Sequence, residues 1–377
     1  MTTSSHWVAG FRSTLVDPTE RIRLAEPRGF ADETVRQVLH LVGGGEQLRV
    51  RLTNRYGATP VTIGAARIAV RKSGAEIVAE TDTELRFDGE VSVTIPAGAD
   101  IVSDPVEFAT TAGTDLVLSI YLPEETGLAP FSHLPMESGF VAAGDQVAAL
   151  ALSEAEETTS RFYVTGVDVL TTTNGPIVVA FGDSWFEGVG STSGANHRSV
   201  DVLNERLTSG WVLNQGIGGT RLLTDQIGEH GLARFDRDVL AVPGVTHVVL
   251  NFGINDLILD NSTSSAEALI AGFRQLAGRA HAAGLTVYAN TIGPFAGVIY
   301  PDLNVAEGRV VRRAVNEWLR TTRIFDAVFD VAAAVEDPND PDFIRSDLDS
   351  GDGLHLNDAG HRIMGATMSI PGLVRAS

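Results

Sequence analysis

The chain contains no cysteine, so disulfides, thiolate metal sites and thiol nucleophiles are all excluded. Of its 28 basic residues only Lys72 is a lysine. A Schiff-base lysine, a Ser-Lys dyad or a phosphate-loop lysine would have to be that residue. Its surroundings, Ala69-Val70-Arg71-Lys72-Ser73-Gly74, fit none of those motifs. There is no apolar run of the roughly 18 residues needed to cross a bilayer. The opening Met1-Thr-Thr-Ser-Ser-His-Trp7 has neither a basic nor an apolar leader region. The expectation is a cytoplasmic protein without membrane insertion, although a mature secreted form would begin in the same way. Positive charge is also scarce: the net charge of −20 repels phosphate backbones and argues against nucleic acid as a partner, so none is expected.

What is present is enough apolar residue content, 44% of 377 residues, to bury two cores. Residues from about 34 to 172 read as strands. Short runs at 47–52, 61–63, 91–95 and 115–121 are rich in Val, Ile, Leu and Thr and are separated by turn clusters such as Gly43-Gly-Gly45. This predicts an all-β, jelly-roll-like sandwich domain over 1–172. Beyond Thr171-Thr-Thr-Asn-Gly175 the pattern changes. Strand-length apolar runs at 177–181, 248–252, 285–291 and 327–331 alternate with helix-length amphipathic stretches. One of these, 265–283, places Leu269, Ile270, Phe273, Leu276 and Ala280 on one face, and another covers 306–319. The alternation predicts βαβ units and a parallel sheet, hence a three-layer α/β domain over 176–377. Sites in such sheets form beyond the carboxyl ends of the strands.

Four segments meet that condition or lie in reach of it. The run ending in Gly182-Asp183-Ser184 presents a hydroxyl directly after the first strand, where a following helix N-terminus aims N–H groups at the same spot. Taken alone, Gly-Asp-Ser is an ordinary turn tripeptide. In Gly216-Ile-Gly-Gly219 the glycines either permit a tight turn or expose an N–H, for which Gly219 suits best; the spacing fails as a dinucleotide fingerprint because Arg221 stands where glycine is required. In Gly253-Ile-Asn255-Asp256 the side chain of Asn255 is a turn former or an uncharged donor suited to a transient oxyanion. In Asp352-Gly-Leu-His355 an aspartate three residues before a histidine can hold its Nδ1–H and leave Nε2 as a base. His361 falls in the helix-like run that follows, a structural or surface position. No His-x-His or His-Glu-x-x-His spacing occurs, so no metal and no cofactor are expected.

The order and spacing of Ser184, Gly219, Asn255 and His355 resemble the SGNH hydrolases, the GDSL-type esterases and lipases, whose name lists these four residues. The resemblance covers the second domain, and the preceding β-rich module is similar to a bacterial branch of the family. It implies a flavodoxin-like α/β/α fold and metal-independent ester hydrolysis. Ser184 would be the nucleophile, His355 the base and Asp352 its orienting partner. The oxyanion would lie among the N–H groups of Ser184 and Gly219 and the Asn255 side chain. Trp185, Phe295 and Tyr300 are candidates for the substrate cleft, with 293–300 as an apolar surface loop; for Trp185 the reading as plain core weighs more. The departures from the family pattern, Trp185-Phe-Glu187 after the serine and Leu356 after the histidine, touch none of the four roles. The expected substrate is a small-molecule or glycan ester with a small acyl group, acetyl being favoured. The alternatives are a lipase or aryl esterase with a wider apolar cleft, an acyltransferase using the same residues, or a glycan-binding protein with an inactive hydrolase domain. The sequence does not state an oligomeric order.

Overall fold

The computed structural model describes residues 4–259 and 264–374; the first and last three residues, which the expected domain limits include, lie outside the described part. The chain divides into two compact units, Met1–Asn174 and Gly175–Ser377.

The first unit is strand-rich and antiparallel. A five-stranded sheet is ordered His6–Arg12, Val164–Thr171, Gln47–Thr53, Val106–Glu107, with Asp100–Val102 also paired to Gln47–Thr53. A seven-stranded sheet runs Glu156–Thr158, Gly139–Ala143, Glu33–His40, Asp115–Leu122, Ala65–Ser73, Glu76–Ile77, with Thr83–Glu84 on Ala65–Ser73. The alternation of Gln47–Thr53 is visible in its burial: Leu48, Val50 and Leu52 face the core while Gln47, Arg49 and Arg51 stay half-buried, as the two-residue period of a strand requires. Two buried polar groups on these sheets are fully engaged. Asp168 binds Arg12, Arg49 and Arg51. Arg36 donates to Ser119 Oγ (2.9 Å) and to the carbonyls of Ala75 (2.8 Å) and Ala149 (2.7 Å), which explains how a guanidinium is tolerated there.

The second unit is built on a parallel sheet of β1 (Ile177–Gly182), β2 (Trp211–Gly216), β3 (Val245–Asn251), β4 (Thr286–Asn290) and β5 (Ala327–Phe329), in spatial order 2-1-3-4-5. Every residue of β1 is buried, the unbroken apolar run expected of a strand covered on both faces. The helices are α1 (Ser184–Glu187), α2 (Ser199–Arg206), α3 (Gly231–Phe235), α4 (Ile254–Ile258), α5 (Ala266–Ala282), α6 (Val305–Thr321), α7 (Val331–Val335) and α8 (Asp358–Thr367). Ser265 caps α5 by accepting from Ala268 N (3.2 Å), and Leu269, Phe273, Leu276 and Ala280 form its buried face. Ile270, expected on that face, is only half-buried. On α6 the buried seam includes Arg312 and Asn316. Both reach Ile292 just past β4: Asn316 accepts from its N–H (2.7 Å) and donates to its carbonyl (2.8 Å), and Arg312 donates to the same carbonyl (3.0 Å). The chain leaving β4 is therefore clamped before it forms the loop beside the site. In this strand order the direction of winding reverses between β1 and β3, and ligands of such sheets bind at that point, outside the carboxyl ends. Among the described residues no helix is long and apolar enough to cross a membrane.

Candidate active site

The register places three turns side by side. Gly182, the last residue of β1, pairs with Gly216 of β2 on one side and Asn251 of β3 on the other. The segments carrying Ser184, Gly219 and Asn255 thus leave adjacent strands at the same edge of the sheet.

Asp183 follows β1 and caps α1. Its Oδ1 accepts from Trp185 N (3.1 Å) and from Asn251 Nδ2 (2.9 Å), which fixes Ser184 as the first helical residue. The Asp183 carboxyl is pushed up to about 7 by burial, against the two hydrogen bonds that favour its ionised form. Ser184 is 7% and His355 9% exposed. The imidazole Nε2 of His355 lies 3.0 Å from Ser184 Oγ, and its Nδ1 lies 2.6 Å from Asp352 Oδ2. A carboxylate only accepts, so the ring proton sits on Nδ1 and Nε2 is left to accept from the serine hydroxyl. The other oxygen, Asp352 Oδ1, accepts from Leu354 N (2.9 Å), His355 N (2.8 Å) and Ser350 Oγ (3.1 Å). Burial alone would raise the Asp352 carboxyl. The hydrogen bond and charge of His355 and the N–H groups of His355 and Leu354 outweigh it, holding the group well below the usual carboxylate range.

Gly219 follows β2 with φ +77, and a Cβ there would lie 2.6 Å from Ile227 Cδ1, so both backbone conformation and space require glycine. Gly218 N donates to the buried carboxylate of Glu187, one turn after Ser184. Among the described residues no acceptor meets the N–H of Ser184 or of Gly219. Asn255, 5% exposed, donates from Nδ2 to the Thr220 carbonyl (2.9 Å), which ties α4 to the Gly219 turn. Asp256 accepts from Leu222 N (2.8 Å) and Leu223 N (3.0 Å). Burial pushes its carboxyl up to about 6.

Two of the cleft candidates are not at the surface. Trp185 is 1% exposed, donates from Nε1 to the Leu354 carbonyl (2.9 Å) and packs so closely on Gly293 that a Cβ there would collide with the indole. Phe295 is likewise 1% exposed. The expected surface loop is core through Phe295, because Ile292 is drawn inward by α6, and only 299–300 is exposed. Tyr300 is 49% exposed, and its hydroxyl donates to Asp352 Oδ2 (3.0 Å). His361 is fully buried on α8: Nδ1 accepts from Ser199 N (3.3 Å) and Nε2 faces the Val189 carbonyl (3.2 Å). Burial lowers it to about 4, so it is a neutral structural histidine. Asp183, Glu187, Asp256 and Tyr300 are polar residues at the site that the sequence reading gave no part in it as polar groups. The one available signal was acidic side chains inside apolar segments, as in Trp185-Phe-Glu187. Among the described residues no group of three or more His, Asp or Glu is placed to hold a metal.

A hydroxyl, an imidazole and a carboxylate thus stand in series at the switch point of a parallel sheet in 2-1-3-4-5 order, the flavodoxin-like α/β arrangement. Residues 180–363 match the family model of the GDSL-like lipases and acylhydrolases. The chain carries a hydrolase domain of that family and is a carboxylic ester hydrolase. No curated protein matches the chain. Solved structures similar to it include the aryl esterase of M. smegmatis (17% identity, 51% of this chain and 96% of that one, TM-score 0.41). A carbohydrate acetylesterase family member from Sinorhizobium meliloti is similar at 16% identity over 51% of this chain and 95% of that one, with TM-score 0.43. A GDSL-like lipase from Bacteroides thetaiotaomicron is similar at 18% identity over 51% and 85%, with TM-score 0.39.

Proposed function

We propose that the chain is a metal-independent serine esterase that removes small acyl groups, acetyl foremost, with a carbohydrate ester as the favoured substrate. The observation that carries this reading is the unbroken hydrogen-bonded series Ser184–His355–Asp352. Ser184 Oγ attacks the ester carbonyl as its proton passes to His355 Nε2. Asp352 holds Nδ1–H and stabilises the imidazolium that forms. The carbonyl oxygen, now an anion, is received by the N–H groups of Ser184 and Gly219 and by Asn255 Nδ2. Collapse expels the alcohol, which takes the proton from Nε2. A water deprotonated by His355 then attacks the acyl-serine and releases the acid. The low exposure of Ser184 and His355, with the buried Trp185 that follows Ser184 bonded to the carbonyl of Leu354, which precedes His355, favours a short acyl group over a long chain.

A second reading, an aryl esterase or lipase, is favoured by the exposed Ile299 (68%), Tyr300 and Phe343 (38%). Phe343 lies near Gly297 on the same loop, and the group offers an apolar lip to a larger alcohol or acyl part. Hydrolysis of p-nitrophenyl acetate, butyrate and octanoate in EDTA, by wild type and Ser184→Ala, tests both. Turnover that persists in EDTA, vanishes in the variant and falls with chain length is expected. Turnover rising toward octanoate selects the second reading, and turnover by Ser184→Ala overturns both.

A further inference from the structure

Asp352 Oδ2 has two donors of different origin. One is His355 Nδ1 at 2.6 Å, from its own turn; the other is Tyr300 Oη at 3.0 Å, from the loop after β4. The second is held in place by backbone as well as side chain. Ile292, where the loop begins, is clamped by Arg312 and Asn316. Ala296 N donates to the Asp342 carbonyl (2.8 Å), and Ile299 N donates to the carbonyl of Asp352 itself (3.0 Å). Gly353 has φ +68, and a Cβ there would collide with the Gly297 carbonyl. The loop therefore crosses the Asp352 turn backbone against backbone, and the residue whose carbonyl it binds is the one whose carboxylate Tyr300 reaches. Burial, then the hydrogen bond and charge of Asp352, push the Tyr300 phenol up, so it remains a donor throughout the working range.

We propose that Tyr300 is a positioning residue for Asp352: its O–H fixes Oδ2 and takes up part of the negative charge that would otherwise act on His355. This rests on the reading of Ser184, His355 and Asp352 as the reaction centre. A carboxylate oxygen shared between two donors stabilises the imidazolium less than one devoted to it. The other titratable groups around His355 are Asp349, in its own turn, whose Oδ1 accepts from Gly351 N and Gly353 N, and His361 of α8, whose charge would oppose that of His355; Ser184 faces Nε2 from α1. None of these binds Oδ2.

The test is the pH profile of kcat/KM on p-nitrophenyl acetate for wild type, Tyr300→Phe and Ile299→Ala. Tyr300→Phe keeps the ring and removes the donor. Its acid limb is expected to move to higher pH by about half a unit, a small shift because the ring is half exposed, with KM unchanged and plateau kcat lowered. Ile299→Ala is expected to alter KM and leave the limb in place. A Tyr300→Phe limb superimposed on that of wild type overturns the proposal, as does a rise in KM alone, which would make Tyr300 a substrate wall. A wild type without an acid limb, or an active Ser184→Ala, overturns the reaction-centre reading and this inference with it. A normal wild-type limb that Tyr300→Phe fails to move overturns only the inference.

Discussion

His355 Nε2 and Ser184 Oγ lie 3.0 Å apart across 171 positions of sequence, one at the tip of β1 and the other in the turn before α8. If His355 is the base, only its neutral form accepts the serine proton. Asp352 is held well below the usual carboxylate range and stays ionised, so it adds no limb of its own above strongly acid pH. Activity should fall as the imidazole protonates, approaching tenfold per pH unit. Initial rates across about pH 5 to 8 check this, and a flat profile would remove His355 from the role.

The Asn255 amide is fixed on Thr220, the residue after Gly219. Asn255→Ala should lower kcat about 10²- to 10³-fold with little change in KM, the loss typical of one oxyanion donor. A raised KM at unchanged kcat would reject the assignment. Gly219→Ala should be as damaging for a different reason, since φ +77 and the 2.6 Å approach to Ile227 force the turn to shift.

Much of this was legible because it is local. The six buried residues of β1 are adjacent in sequence and end at Gly-Asp-Ser; the buried face of α5 repeats with the helical period; Asp352 and His355 share one turn. What escaped is pairing across the chain. Tyr300 reaches Asp352 52 positions away, and Glu187 serves Gly218 31 positions on; no periodicity encodes such partners. Trp185 and Phe295 are apolar aromatics that would suit either a cleft or a core. The outcome was decided by Arg312 and Asn316 of α6 drawing Ile292 inward, a polar seam that a count of apolar residues on α6 cannot reveal.

Asp256 uses both carboxylate oxygens, one on Leu222 N and one on Leu223 N. Asparagine has a single acceptor oxygen, so Asp256→Asn turns its NH2 against one of these N–H groups and frees that end of the turn holding Gly219. The expected result is a drop in kcat exceeding any change in KM, with faster amide exchange at 219–223. Unchanged kcat in a folded variant would show that this anchoring is not needed for the reaction.

Asp183 sits beneath Ser184, 1% exposed, with Oδ1 doubly bonded and Oδ2 without a partner among the described residues. Its carboxyl is raised to about 7 by burial, with the charge of Asp256 adding to the rise, whereas in the unfolded chain it would titrate near 4, as an ordinary aspartate does (about 3.9). Between those values the folded protein holds a proton that the unfolded chain has lost. This contribution therefore favours the fold at acid pH and is lost as pH rises toward 7, above which a buried anion must be carried. Asp183→Asn keeps the oxygen that receives Trp185 N and Asn251 Nδ2 and removes the charge. Relative to wild type, the variant should gain stability between pH 5 and pH 8, on the order of 2–4 kcal/mol before relaxation reduces it. Asp256, also raised, slopes in the same direction in both proteins and cancels in the difference except for its repulsion with Asp183, which the variant removes and which adds to the gain. Urea midpoints at the two pH values measure the effect, and a difference between variant and wild type that does not change with pH would show that Asp183 is ionised in the fold at both.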